Sequence, residues 1–139
     1  MMYQQIMIPV DLAHIERLEK ALKTGADLAK LYDIPVCYIG VSGNAPSEVA
    51  HNPNEYTTKL QQFGKAQADK YGLNKVSTAA YFSHDPAIDL DDTLLRAAKE
   101  HAADLVVMAS HVPGLAEHLF ASNAGAFASS ATASVLVVR

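Results

Sequence analysis

The sequence predicts an α/β fold, with one domain over residues 1–139 and an open, parallel, five-stranded sheet between two layers of helices. The first observation is a series of short apolar runs, rich in valine and isoleucine, which are typical of strands buried on both faces. The second is the helical spacing of apolar residues between these runs. Strands that alternate with helices favour parallel pairing through right-handed crossovers. With 50% hydrophobic and 19% charged residues, a chain of 139 residues is long enough to bury one substantial core.

The strands are predicted at the apolar runs, which are Gln4–Val10, Pro35–Val41, Val76–Phe82, Asp104–Ala109 and Ser134–Val138. Pattern alone leaves several orders of these strands in the sheet open. After the first strand, apolar residues at helical spacing predict an amphipathic helix from about Ile15 to Tyr32. Gly25 inside this helix indicates either a weak point or a close contact with the sheet.

The second helix is predicted after a long loop. Glycine, asparagine and proline residues over Ser42–Asn54 are typical of irregular structure. Tyr56, Leu60, Phe63 and Tyr71 then share one face of a helix, and Gly72 is the expected stop.

The third and fourth helices are predicted from their caps. Ser83–Asp89 is expected to be a loop with a turn at Asp85-Pro86, so that the third helix begins with Asp91 or Asp92 as its cap. The fourth helix consists of small residues and is expected to begin at Ser122-Asn123. Because the N-terminus of a helix attracts anions, this start is a candidate anion site.

Composition excludes some classes of protein. The formal net charge is −4 and lysine and arginine form no dense cluster, which argues against nucleic-acid binding. No apolar stretch reaches the roughly 18 residues of a membrane span. No basic region followed by an apolar core marks a signal peptide, so the cytoplasm is the expected location. Cys37 lies in an apolar run and is expected to be a small core residue.

The sequence predicts no metal site and no catalytic residue. His111 and His118 lack the i, i+4 spacing of a helical zinc pair, and no cysteine accompanies them. Ser110 and His111 are adjacent in sequence, and adjacent side chains rarely face each other, so they are not expected to form a nucleophile–base pair.

Two parts of the chain resemble the universal stress protein family. Near the C-terminus the matching residues are Val106-Val107-Met108-Ala109-Ser110-His111, Gly114-Leu115, Ala121-Ser122-Asn123-Ala124 and Ser134-Val135-Leu136-Val137-Val138-Arg139. The family pattern there is a strand ending near Gly-Ser-His-Gly, a loop, Gly-Ser opening the last helix, and a strand ending Pro-Val-Leu-Val-Val. Ile6-Met7-Ile8-Pro9-Val10-Asp11 resembles the family's first strand, which typically ends Val-Pro-Val-Asp. The resemblance covers nearly the whole chain, and residues 43–80 match only in layout.

The resemblance implies a strand order of 3-2-1-4-5 in an adenine nucleotide α-hydrolase-like fold. In this order the chain reverses direction across the sheet between the first and fourth strands, which is where ligands bind in open α/β sheets. Asp11 and Ser110 end those two strands and would face each other across one crevice.

The resemblance also implies ATP or AMP as the ligand of this crevice. Asp11 would accept a hydrogen bond from a ribose hydroxyl, and Val10 and Val41 would flank the adenine. The complete set of implied binding residues is Pro9, Val10, Asp11, Val41, Met108, Ala109, Ser110, His111, Val112, Gly114, Ser122, Asn123 and Ala124.

The loop after the fourth strand departs from the family's ATP-binding pattern, which is Gly, two residues, Gly, nine residues, Gly, then Ser or Thr. Strict counting places Ala109, Val112 and Ser122 at the glycines and Asn123 at the hydroxyl residue. A loop one residue shorter aligns Ala121-Ser122 with Gly-Ser. We prefer this alignment because a family subgroup carries a Ser-His-x-Pro loop followed by Gly-Ser-Asn-Ala. All three glycines are absent either way, and β-branched Val112 resists positive φ, so the triphosphate is expected to be held more weakly than the adenosine.

Three hypotheses for function follow. The first is a nucleotide-binding module in stress-response signalling, and the second is a dimeric interaction domain of the same fold without nucleotide. The third is a slow ATP hydrolase, which lacks a recognisable catalytic base near the phosphates. The resemblance implies a homodimer in which the last strands meet, through Val135, Leu136, Val137 and Val138.

Overall fold

The structure, a computed structural model, describes residues 2–110 and 124–139. The strands in this part of the chain are all parallel and lie in the order β3-β2-β1-β4-β5. Their bounds are β1 Ile6–Val10, β2 Val36–Ser42, β3 Val76–Phe82, β4 Leu105–Ala109 and β5 Ser134–Val138. The α/β class and the order 3-2-1-4-5 are confirmed. The predicted bounds of β3 and β5 match the observed ones, and those of β1, β2 and β4 differ by at most two residues at either end.

The chain leaves β1 through a 3₁₀ segment, Leu12–Leu18, and only then forms the helix α1, Glu19–Tyr32. The predicted α-helical start at Ile15 is therefore wrong, because residues 15–18 belong to the 3₁₀ segment. His14 has φ −136° and ψ 44°, which are not helical values and which break the segment. The prediction of a close contact at Gly25 is the correct alternative, because a Cβ there would lie 2.3 Å from Ile8 Cδ1.

The helix α2 spans Pro53–Tyr71, so it begins earlier than Tyr56. Asn52 caps it, with its side-chain oxygen accepting from the Glu55 N–H at 2.8 Å. Pro53 takes the first helical position, where a missing N–H is harmless. The predicted loop therefore extended too far, whereas the predicted stop at Gly72 is confirmed by its φ of 66°.

The helix α3 spans Pro86–Glu100, which corrects the predicted start at Asp91 or Asp92. Asp85 is the cap, since its carboxylate accepts from the Ile88 N–H at 3.3 Å. The Asp-Pro pair that suggested a turn is instead the cap and first residue of a helix. Asp91 lies inside the helix, where burial and then the charge of Asp92 raise the pKa of its carboxyl group.

Two apolar clusters fill the space on either side of the sheet. In β1, Ile6, Ile8 and Val10 face the layer of α1 and α2, and Met7 faces the layer of α3 and α4 (Ala124–Ser130). Cys37 is 1% exposed, which confirms it as a core residue. Among the described residues, no helix is both long and apolar enough to span a membrane.

Candidate functional site

The candidate site lies at the carboxyl edge of the sheet, between β1 and β4. The chain runs from β1 outward to β2 and β3 on one side, and to β4 and β5 on the other. In open α/β sheets, ligands bind at the carboxyl edge where the strand order reverses in this way. Asp11 follows β1 directly and Ser110 follows β4, so the structure places both residues at this edge as predicted.

The ladder between β1 and β4 stops short of this edge. It pairs Ile6 with Leu105 and Met7 with Val106, whereas the ladder between β1 and β2 continues to Val10. The direction of the backbone groups supplies a reason. The Ile6 N–H donates towards β2, and the Gln5 carbonyl accepts from β4, so odd-numbered residues of β1 face β4.

Pro9 is one of these odd-numbered residues and has no N–H. It therefore cannot continue the ladder towards β4, and the two strands lose a hydrogen bond just before the edge. The proline that the sequence placed at the exit of β1 thus interrupts the ladder between β1 and β4 before the carboxyl edge.

Asp11 offers a carboxylate at this edge of the sheet. Its side chain is only 11% exposed. One oxygen, Oδ1, accepts from the Ala13 N–H at 3.0 Å, and the other, Oδ2, lies 2.8 Å from Nδ1 of His14. The His14 ring is 26% exposed, and sequence reasoning missed it. A usable signal was the Asp-x-x-His spacing directly after a buried strand.

Tyr56 extends from α2 to Gly40 near the carboxyl end of β2. It is 4% exposed, and its ring meets that of Phe82 edge to face, with 5.8 Å between centroids. Burial raises the pKa of the Tyr56 hydroxyl well above the ordinary tyrosine range, and the negative charge of Asp11 adds to this. Gly40 in β2 admits the ring, because a Cβ there would lie 2.4 Å from the Tyr56 hydroxyl oxygen.

The predicted apolar residues of the site line the strand ends. Val10 and Met108 are fully buried, and Val41 and Ala109 are 5% and 7% exposed. Val10 belongs to the cluster on the α1 and α2 side and Val41 to the cluster on the opposite side. The side chains of these two valines therefore lie on opposite faces of the sheet.

Ser110 is buried, and its N–H donates to the Val138 carbonyl at 2.8 Å. This backbone donor is therefore committed to β5 and does not face a ligand. At the same edge, Lys20 Nζ donates to the Arg139 carbonyl at 2.9 Å, which brings an ammonium group to the end of β5.

The rest of the predicted phosphate side lies outside the described residues. These are His111, Val112, Gly114, Ser122 and Asn123. Ala124 is described as the first residue of α4. Within residues 2–110 and 124–139, no three His, Cys, Asp or Glu side chains form a group that could hold a metal ion.

A cavity of about 600 Å³ adjoins the site on the α1 and α2 side of the sheet. Its walls come from the 3₁₀ segment, the loop after β2 and α2, namely Leu12, Ala13, Ile15, Glu48, Val49, Lys59, Gln62 and Phe63. Lys59 donates to the Val49 carbonyl and lies 3.3 Å from Glu55 Oε1. Sequence reasoning missed this cavity because its walls come from three separate segments.

Comparison with known proteins gives a consistent result. The model of the universal stress protein family matches residues 2–139. Universal stress protein G of Salmonella typhimurium is 26% identical over 146 residues, covering 99% of this chain and all of that protein.

Two solved structures share the fold. A universal stress protein in complex with cAMP superposes with a TM-score of 0.71 at 18% identity, over 100% of this chain and 99% of that one. The universal stress protein of Archaeoglobus fulgidus in complex with dAMP gives a TM-score of 0.68 at 18% identity, over all of both chains.

Proposed function

The chain belongs to the universal stress protein family, and from this premise we propose that its crevice binds an adenine nucleotide, AMP or ATP, as part of stress-response signalling in the cytoplasm. The observation that carries the proposal is the shielded carboxylate of Asp11 at the edge where the ladder between β1 and β4 is interrupted. Relatives of the same fold that were crystallised with cAMP and dAMP support it.

The adenosine half of the ligand would rest on groups that the structure describes. The Asp11 carboxylate would accept from a ribose hydroxyl, since two of its roughly four acceptor positions are used by Ala13 and His14. Val10 and Val41 would contact the base, and Pro9, Met108 and Ala109 would form the floor.

The phosphate half would rest on Ser110, His111, Val112, Gly114, Ser122, Asn123 and Ala124. Backbone N–H groups are the usual donors to phosphate in such loops. The Ser110 N–H is already used by Val138, and Val112 restricts the backbone where a glycine would not. We therefore expect AMP and ATP to bind with similar affinity, and we expect Val112→Gly to strengthen ATP binding selectively.

Calorimetric titration with AMP and with ATP tests the nucleotide proposal. We expect Asp11→Ala to weaken both ligands by about 1–3 kcal/mol, because a ribose hydroxyl loses its charged acceptor. Asp27→Ala is a matched control, since this aspartate is exposed on α1 and pairs only with Lys23 in the described part of the chain. If neither the wild type nor Val112→Gly binds either nucleotide at millimolar concentration, the proposal is wrong.

The second candidate function is a dimeric interaction domain, and one observation favours dimerisation in either case. The strand β5 is the outermost strand beyond β4, and Leu136 on it is 39% exposed. An exposed apolar edge of this kind invites pairing with another strand. We propose a homodimer through Val135, Leu136, Val137 and Val138.

Light scattering at micromolar concentration tests the dimer. We expect the mass of a dimer for the wild type and a shift towards monomer for Leu136→Lys, since a charge on the edge opposes pairing. Leu31→Lys is the control, because Leu31 is an exposed apolar residue (74%) that belongs to α1 and not to β5. A monomeric wild type would refute the interface.

A further inference from the structure

The four residues that follow β1 close on themselves through hydrogen bonds. The Ala13 N–H donates to Asp11 Oδ1 at 3.0 Å, and the His14 N–H donates to the Asp11 carbonyl at 3.0 Å. The His14 ring returns to the same residue, with Nδ1 at 2.8 Å from Asp11 Oδ2. A carboxylate oxygen only accepts, so the ring carries its proton on Nδ1.

The backbone at His14 makes this return possible. Its φ of −136° and ψ of 44° interrupt the 3₁₀ segment, which otherwise continues towards Leu18. The break directs the ring back towards the end of β1. Both side chains are largely shielded, so the bond between them is less weakened by water than an exposed pair would be.

Two donors on different oxygens hold the carboxylate group of Asp11 in one orientation. Rotation about the bond between Cβ and Cγ of an aspartate is otherwise soft and broadly distributed. With Oδ1 held by Ala13 and Oδ2 by His14, the remaining lone pairs point in fixed directions. A ligand hydroxyl then meets an acceptor that does not have to be reoriented on binding.

We propose that His14 is a positioning residue of the nucleotide site, which orients the Asp11 carboxylate towards the ribose and so determines the preference for ligands that carry ribose hydroxyls. This inference rests on the nucleotide binding proposed above. His14 does not need to touch the ligand, because its effect passes through Asp11.

The test compares AMP with 2′,3′-dideoxy-AMP, which has the same base and phosphate without the hydroxyls. A hydrogen bond to a charged acceptor raises affinity roughly tenfold or more. The dissociation constant of the dideoxy ligand divided by that of AMP measures the contribution of the ribose hydroxyls alone. We expect His14→Ala to reduce this ratio by about threefold or more. We expect His14→Asn to restore most of it, because asparagine places an N–H donor near the position of Nδ1.

His51 provides the matched control. Its Nδ1 lies 3.0 Å from Glu55 Oε2, so it forms a histidine–carboxylate pair of similar length, but it is 83% exposed at the start of α2. His51→Ala should leave the ratio unchanged. Asp11→Ala should bring the ratio close to one, and adding His14→Ala to it should change nothing further, since the two residues act as one unit.

The outcomes separate the two proposals. A wild type that binds neither ligand overturns both the nucleotide proposal and the role of His14. A wild type that prefers AMP, with a ratio that His14→Ala leaves intact, overturns the role of His14 alone. Loss of the preference in His14→Ala without recovery in His14→Asn also overturns it, because the effect would then follow from the loss of the ring and not of the donor.

Discussion

Gly40 packs against Tyr56, and replacing this glycine by alanine should destabilise the protein. Gly40 lies in β2, between β1 and β3, and alanine in a strand is ordinarily favoured over glycine by roughly 0.5–1 kcal/mol. Here the new Cβ would lie 2.4 Å from the Tyr56 hydroxyl oxygen, 3.0 Å from Tyr56 Cε1 and 3.1 Å from Leu60 Cδ2. Both neighbours are buried, so neither ring nor methyl group can move into solvent.

The closest of these contacts is short by about 1 Å relative to ordinary van der Waals distances. Overpacking of this kind typically costs about 1–3 kcal/mol. Tyr56→Phe removes the hydroxyl oxygen, so the nearest remaining atom is Cε1 at 3.0 Å and the deficit falls by about half. Gly40→Ala should therefore cost about 1 kcal/mol less in the Tyr56→Phe background than in the wild type.

Urea unfolding measures this coupling in four proteins, which are the wild type, Gly40→Ala, Tyr56→Phe and the double variant. Unfolding is followed by circular dichroism at one protein concentration. Gly125→Ala is the control, because a Cβ there meets no atom of the described residues within 4 Å. Alanine also favours the helix, so this variant should be as stable as the wild type or slightly more stable. If Gly40→Ala changes the free energy of unfolding by less than about 0.5 kcal/mol, the packing argument fails.

Three further predictions concern the ladder between β1 and β4, a helix cap and alkaline stability. Pro9→Ala supplies an N–H that faces β4, and we expect this new amide to exchange slowly with solvent. Fast exchange would show that the ladder between β1 and β4 stops for another reason. Asp85→Ala removes the cap of α3 and should lower the free energy of unfolding by about 1 kcal/mol, whereas Asp85→Asn should retain most of it. Burial raises the pKa of Tyr38 and Tyr56 above the ordinary range, so from about pH 10 the unfolded chain loses protons that the folded chain keeps, and stability should fall as pH rises. A free energy of unfolding that stays constant between pH 9 and about pH 11.5 would contradict this last prediction.

The sheet could be predicted from the sequence because its strands are buried on both faces. An apolar run such as Leu105–Ala109 is stable in the interior of the sheet, where helices cover both faces. It forms β4, and every residue of that strand is buried. The helix starts were less predictable, since Asn and Asp next to proline fit a turn as well as a cap. Asn52 and Asp85 both proved to be caps followed by proline at the first helical position.

The candidate site could be predicted only where it depends on strand ends. The position of Asp11 could be predicted because it directly follows the apolar run of β1, and the structure places it at the carboxyl edge. The contact between its carboxylate and the His14 ring depends on the φ and ψ of His14, and these angles cannot be predicted from the spacing of apolar residues. The use of the Ser110 N–H depends on how β4 and β5 align, because the register that pairs Ala109 with Val138 brings the Val138 carbonyl within 2.8 Å.

The two halves of the proposed ligand therefore depend on different kinds of interaction. Asp11, Ala13 and His14 would organise the ribose side through hydrogen bonds that lie within four residues of chain. The phosphate side would need donors from a loop between two strands, and the sheet itself removes one of them by pairing Ser110 with Val138. A loop without the family's glycines gives up the backbone conformations that would replace it. Because the hydrogen bonds around Asp11 are made within residues 11–14, recognition of the ribose should tolerate sequence change after β4 better than recognition of the triphosphate does.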